Sequence, residues 1–450
     1  MRNGVKHVHR FVQHAVLATI LLQCNWIAAQ DAATNQWLTR LKTGSAQDVE
    51  SAISLLPNGT LEQSEIARQL TLLLNDERAV VEHIMGRETV SDSARSKMLD
   101  LPSTAAESIL HAVPTLESDR ARGRAFEVIS RIGKPNGRAY ELILPYVGND
   151  DVYLRSRAIS ALSAVADNSE LTVLQFGKLL LDSDPMVKWT VLDALDERCE
   201  CIASVIPEVI ELLENDSDVY IAISNHFAQP KKLRGRAARL LAKIGPKASD
   251  ALAKLKKLTA PEYDKDVRIW SATAICKISN APSKEALDLL GQLLLDDMED
   301  EFTQNDAPEA IALLGPFARP LLDSLELAKN HKSVQIRWGL VNAFFAIDPD
   351  SAVSRCLPLM DDEKKGVVEI VIEAFSKRGI SEPPVIAAYV RALRDYDGSS
   401  DHPAHSAVDA LAKLGKAAKA SIPALEELVK NLEITDTLKE DVVSALSRIQ

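Results

Sequence analysis

The strongest constraint on this chain is a helical pattern that returns about every 35 residues. In "DVRIWSATAICKI" (266–278), Ser271, Ala274, Ile275 and Ile278 occupy positions 0, 3, 4 and 7 of a short frame. Those offsets share one face of an α-helix. The frame starts again at Ala125, Ala158, Val191, Ala237, Ala307, Leu340, Val371, Ala407 and Val442, with a weaker copy at Ala94. From Ala125 onward the starts lie 33, 33, 46, 34, 36, 33, 31, 36 and 35 residues apart. A single period with one enlarged step predicts an array of helical units rather than a set of separate globular cores.

Each unit reads as two helices. "IPEVIELLEND" (206–216), "ARPLLDSLELA" (318–328) and "SIPALEELVKNL" (421–432) supply a second apolar helix after the first. Pro207, Pro320, Pro358 and Pro423 sit near its start, where a missing N–H costs least. Gly133, Gly245, Gly315, Gly379 and Gly415 follow the first helix, where a left-handed cap is wanted. One pair buries only part of its apolar surface, and its neighbours bury the rest. The expected fold is therefore all-α, a right-handed α-solenoid of about ten to twelve helical pairs. Residues 116–450 form the array, with an insertion around 219–232. Residues 30–115 are less regular and read as an N-terminal helical cap of degenerate repeats, and "DVVSALSRI" near the C-terminus reads as a closing helix.

Three residues before each frame a basic residue recurs: Arg122, Arg155, Lys188, Arg234, Arg268 and Arg337. Asp151, Asp184 and Asp264 stand seven before their frames. This pattern resembles the HEAT repeat family, particularly the short bacterial kind related to bilin lyases. The resemblance implies that these residues form a structural Asp/Arg ladder between adjacent repeats, with no catalytic role. The copies at Ala307, Val371 and Ala407 lack the basic residue, so the ladder is expected to break there. Trp189, Trp270 and Trp338 flank the same register and read as packing between repeats.

The formal charge is −12, which argues against general nucleic-acid binding. Residues 1–29 carry Arg2, Lys6 and Arg10 and no acid. Apolar Ala15–Leu22 and the small Ala28 and Ala29 follow. This is the layout of an export signal cleaved near Ala29, and it places the chain in the periplasm or cell envelope. Cys24 in "LLQC" offers a lipid anchor as an alternative. Membrane contact is otherwise expected only if the N-terminal segment stays uncleaved. Cys199, Cys201, Cys276 and Cys356 do not form a disulfide framework and read as small core residues.

Charge within the array is uneven. Lys231, Lys232, Arg234, Arg236, Arg239, Lys243, Lys247, Lys254, Lys256, Lys257 and Lys265 face only Asp250, Glu262 and Asp264 in their own segment. Asp296, Asp297, Glu299, Asp300, Glu301, Asp306 and Glu309 follow. Two readings stay open. Neighbouring repeats balance one another, or the bases form a patch that captures an acidic partner segment.

Chemistry-bearing motifs are scarce. No His precedes a Glu, so the paired His-Glu steps of HEAT-type metal hydroxylases are missing, and no Cys-x-x-Cys-His, Walker loop, Gly-x-Gly-x-x-Gly or Gly-x-Ser-x-Gly occurs. His402 and His405 in "DHPAHS" form the one tight His pair and read as a solvated helix start. The expected function is an exported, non-enzymatic scaffold that binds a protein or peptide through an extended concave surface, without a cofactor. A lyase-like or accessory binder of a small molecule or pigment and a self-associating envelope component are the alternatives.

Overall fold

The structure is a computed structural model. It describes residues 34–55, 63–83, 86–224, 227–296, 306–394, 396, 398–399, 402–430 and 434–450. The export signal and Cys24 lie outside these residues, as do the side chains of Cys199 and Cys201. The chain divides into two compact units, Met1–Cys201 and Ile202–Gln450.

Both units are helical arrays in which first helices pack on first helices. In the first unit these are Ala46–Ser54, Val90–Met98, Asp119–Ile132, Val152–Val165 and Pro185–Asp196. Their second helices are Gln63–Leu72, Ala106–Ala112, Gly137–Ile143 and Glu170–Leu179. Helices pack without a break across residue 115, where the cap was expected to end. In the second unit the first helices are Leu233–Ile244, Lys265–Ser279, Ala307–Leu314, Val334–Ile347, Lys365–Lys377, Ala404–Leu414 and Asp436–Ile449. The second helices include Leu252–Lys257, Lys284–Leu294, Leu322–Ala328, Pro383–Ala392 and Ile422–Leu428.

The repeat frame is the reason for this packing. Ala125, Ala158, Val191, Ala237, Ser271, Ala307, Leu340, Val371, Ala407 and Val442 are all fully buried. A small or trim side chain at that position lets consecutive first helices approach closely. Gly339 shows the limit: a Cβ there would lie 2.4 Å from Cβ of Pro308 on the preceding first helix. Ser118, Asp151, Asp184 and Thr435 start first helices by accepting hydrogen bonds from backbone N–H groups of the first turn.

Gly245, Gly315, Gly379 and Gly415 take positive φ after their first helices, as expected. Gly133 does not, with φ −63°. Close approach explains that glycine instead, since a Cβ would meet the Ile129 carbonyl at 2.6 Å and Val165 at 3.1 Å. Asn280 takes the left-handed position after Lys265–Ser279, with φ 49°.

Two antiparallel hairpins interrupt the helices, and the all-helical expectation missed both. Ala79–His83 pairs with Gly86–Thr89, and Asp218–Ser224 pairs with Phe227–Lys232. The second hairpin is the insertion that lengthens one repeat step. It leads directly into the helix Leu233–Ile244.

Candidate functional site

The recurring arginine links three turns of the array. Arg155 donates from Nη1 to the Asn149 carbonyl (2.6 Å), six residues back, and from Nε and Nη2 to Asp182 of the next repeat (2.8 and 3.1 Å). Arg337 repeats this with the His331 carbonyl (2.6 Å) and Asp362 (2.7 and 2.9 Å). The Arg337 and Asp362 side chains are each 6% exposed. At these two steps the acids that meet the arginines are Asp182 and Asp362, not Asp151 or Asp184. Asp151 and Asp184 cap their own helices instead. Asp182 and Asp362 stand two residues before the next helix cap, and each also accepts a backbone N–H two residues on. Burial pushes the Asp182 carboxyl upward. The Arg155 guanidinium and the Asp184 amide outweigh that and hold it below its usual range.

The other ladder positions depart from this scheme for visible reasons. At the acid position of the turn after Arg122 the chain has Asn149, which accepts the Asp151 amide, and Arg122 binds Asp119 of its own helix and the Leu116 carbonyl (both 2.6 Å). Lys188 is half-buried and helps to hold Asp182 low. Arg268 reaches only the Thr259 carbonyl, at 3.4 Å. Arg234 has the inserted hairpin in place of the turn before its own helix, and it pairs with Asp216 (2.5 Å) over the Tyr263 ring.

The basic segment is largely matched by carboxylates inside the second unit. Lys232 lies 3.1 Å from Asp218, 3.6 Å from Asp216 and 3.9 Å from Asp264. Lys231 reaches Asp306 at 3.2 Å, and Trp270 donates to the same carboxylate at 3.1 Å. Arg239 pairs with Glu309 and stacks on Trp270. Lys254 pairs with Glu214 at 2.9 Å. Arg236 is buried and Lys243 half-buried, while Lys247, Lys256 and Lys257 are exposed. Residues 297–301 of the acidic run lie outside the described residues. Asp266 sits beneath the hairpin and accepts the Lys232 amide at 3.3 Å. Burial raises its carboxyl to about 6 against the pull of Lys231, and the nearby Asp306 charge adds to the rise.

Clefts open between successive second helices in each unit. In the first unit, Tyr140 and Glu141 on one helix face Leu171, Leu174 and Lys178 on the next across 740 Å³. In the second unit, a 780 Å³ cleft between Pro383–Ala392 and Ile422–Leu428 is floored by Val390, Leu393, Tyr396 and Pro423 and edged by Arg394 and Lys430. Sequence reading predicted a groove along second helices without naming these residues. Their signal was present as leucines at exposed offsets of amphipathic helices. Two smaller hollows lie among first helices. One of 530 Å³ is bordered by Trp338, which is 38% exposed, above Gly366. The other, of 500 Å³, holds the Arg95–Glu127 and Arg124–Asp92 pairs.

No group of three His, Cys, Asp or Glu side chains among the described residues could hold a metal ion. His402 is buried, and its Nδ1 accepts the Ala404 amide. His402 and His405 meet the Tyr396 ring edge-on. Cys276 and Cys356 are buried thiols. Burial raises both, Cys356 to about 12, so neither is a ready nucleophile. No described helix is long and apolar enough to cross a membrane.

These features define the class: within each unit, helical pairs stack as in a HEAT-like α-solenoid, with an arginine–aspartate ladder link between repeats in each, Arg155–Asp182 and Arg337–Asp362. No protein-family model matches the chain, and no curated protein matches it. Among solved structures, the chain is similar to Kap121p, at 12% identity and TM-score 0.39 over 94% of this chain and 49% of that one. Kap95p, solved with RanGDP, gives 12% and 0.40 over 93% and 70%. An engineered protein gives 18% and 0.32 over 92% and 98%. The chain thus spans about half the length of Kap121p.

Proposed function

We propose that this protein is an exported, non-catalytic scaffold whose second helices hold a segment of a protein partner. The observation that carries this reading is the 780 Å³ cleft of the second unit. Its floor is aliphatic and aromatic, its edges carry Arg394, Glu427 and Lys430, and all three charged residues are exposed. An apolar floor with a polar rim suits a peptide segment anchored by one or two side chains. The basic N-terminal run and apolar Ala15–Leu22 support export, and N-terminal sequencing of the mature protein tests it: a chain that still begins at Met1 in the cytosol removes that part.

The binding reading is tested by capture from the host's envelope fraction. Wild type should retain a defined protein that Ala424→Trp, which fills the cleft, releases. Arg394→Glu with Lys430→Glu should weaken the same capture. If wild type retains nothing above a control column, or if Ala424→Trp retains the same protein equally well, the cleft is not the site. A coloured or metal-containing purified protein would transfer support to the small-molecule alternative.

A further inference from the structure

Five leucines stand exposed on or just after second helices of the first unit: Leu72, Leu144, Leu171, Leu174 and Leu181, with Leu171 and Leu181 at 76% and 74%. Three of them belong to one ridge. Glu170–Leu179 buries Thr172, Val173, Phe176 and Gly177 on its inner side. Leu180, Leu181 and Asp182 continue the winding through bonds to carbonyls three residues back. Leu171, Leu174, Lys178 and Leu181 therefore follow each other at steps of three, four and three, within roughly 80° of arc at 3.6 residues per turn. That spacing is the seam of a helix packed on another helix. The ridge borders the 740 Å³ cleft, whose opposite wall carries Glu141. Glu141 and Lys178 are both exposed, and neither has an ion-pair partner among the described residues.

We infer that this ridge and cleft form the contact between two copies of the chain, each laying its Leu171–Leu181 ridge into the other's cleft. A two-fold axis near Phe176 sets the ridges antiparallel. Leu171 then meets Leu181 of the other copy at both ends. Lys178 meets the other copy's Glu141, and the reverse pair forms by symmetry. Asp167, the cleft's other acid, is already held by Ser169 and Thr172, so the base on the ridge and the acid on the opposite wall are the charges left to pair, and each is used twice. The inference does not rest on the partner cleft of the second unit.

Sedimentation equilibrium on the full mature chain tests it. Wild type should be dimeric at micromolar concentration, and Leu171→Asp with Leu181→Asp should be monomeric with an unchanged helical circular-dichroism spectrum. Because a core effect could mimic this, the exposed charges supply the second test. Lys178→Glu alone and Glu141→Lys alone should each raise the dimer Kd about 10-fold or more, and the double swap should return it to near the wild-type value. A monomeric wild type, or single charge reversals that leave Kd unchanged, would overturn the inference. A monomer that captures a different protein through Leu171 would overturn it equally, because the ridge would then belong to a partner's helix.

Discussion

The step from Arg337 to Asp362 and the step at the inserted hairpin join neighbouring repeats by opposite electrostatic means. At Arg337 one guanidinium satisfies one carboxylate and one turn carbonyl, and each side chain is 6% exposed. At the hairpin, Lys231, Lys232, Arg234 and Arg239 are spread over Asp216, Asp218, Asp264, Asp306 and Glu309. Asp266 is left beneath them with its ionised form disfavoured. The compact step concentrates its energy in one replaceable residue. The spread step tolerates the loss of any one base but retains a carboxylate that its surroundings disfavour. A repeat array can therefore accept an insertion by replacing one well-placed pair with many partial ones.

Removing single residues should separate the two designs. Arg337→Ala leaves Asp362 buried and uncompensated and should cost about 3–5 kcal/mol in denaturant unfolding. Arg155→Ala leaves Asp182, which is 14% exposed, so water can partly replace the guanidinium and the cost should be about 2 kcal/mol. At the hairpin, Lys232→Ala should cost less than either, because Arg234 still serves Asp216 and the other two acids, Asp218 and Asp264, are exposed to water. Equal losses at Arg337 and Lys232 would break the comparison.

Acid should act with opposite signs on the Arg155–Asp182 step and on the hairpin step. Asp182 titrates below its usual value, so its contribution is complete above about pH 4 and is lost as pH falls through the lowered pKa. Asp266 titrates near 6, so its ionised form costs stability above pH 6, and that cost disappears on acidification. Relative to Asp266→Asn, wild type should gain about 1 kcal/mol between pH 7 and pH 5. Unfolding midpoints of both proteins at the two pH values measure it, and parallel pH dependence would refute the assignment to Asp266.

The sequence carried the repeat because packing had written it in one place: the position of Ala125, Ala158, Ala237, Ser271 and Leu340 is fully buried and takes small or aliphatic side chains. Arg155 and Arg337 of the ladder stand at a fixed offset from that position, which made them visible in the sequence. The acids that pair with them were not. Asp151 and Asp184 stand at the offset the resemblance suggested, but a carboxylate at a helix cap is already engaged by amides of the first turn. The pairing acid is two residues earlier and belongs to the next repeat, so the contact cannot be seen within one unit. The hairpins were missed for another reason. "DVYIAIS" carries the β-branched and aromatic residues of a strand, but at seven residues it is short enough to be taken for part of a helix when the surroundings are helical. Opposite charges in 231–265 and 296–309 were visible, yet only the fold brings Lys231 to Asp306 and Arg239 to Glu309. The clefts depended on which leucines the packing leaves uncovered.

The smallest predicted effect sharpens the comparison at Arg122. Asn149 occupies the place that Asp182 and Asp362 hold elsewhere, and it already makes the same turn, accepting the Asp151 amide at 2.8 Å. Asn149→Asp keeps that acceptor and adds the missing charge toward the preceding arginine. Arg122 is 26% exposed and already bound to Asp119, so the gain should be only about 0.5 kcal/mol. Asp150 and Asp151, adjacent in sequence, oppose a third negative charge and limit it further. The gain should be present at pH 7, vanish below pH 4 as the new carboxyl protonates, and shrink with added salt. If Asn149→Asp instead destabilises the protein at pH 7 and low salt, Arg122 is not waiting for an acid, and its bond to Asp119 is a different solution rather than an incomplete ladder step.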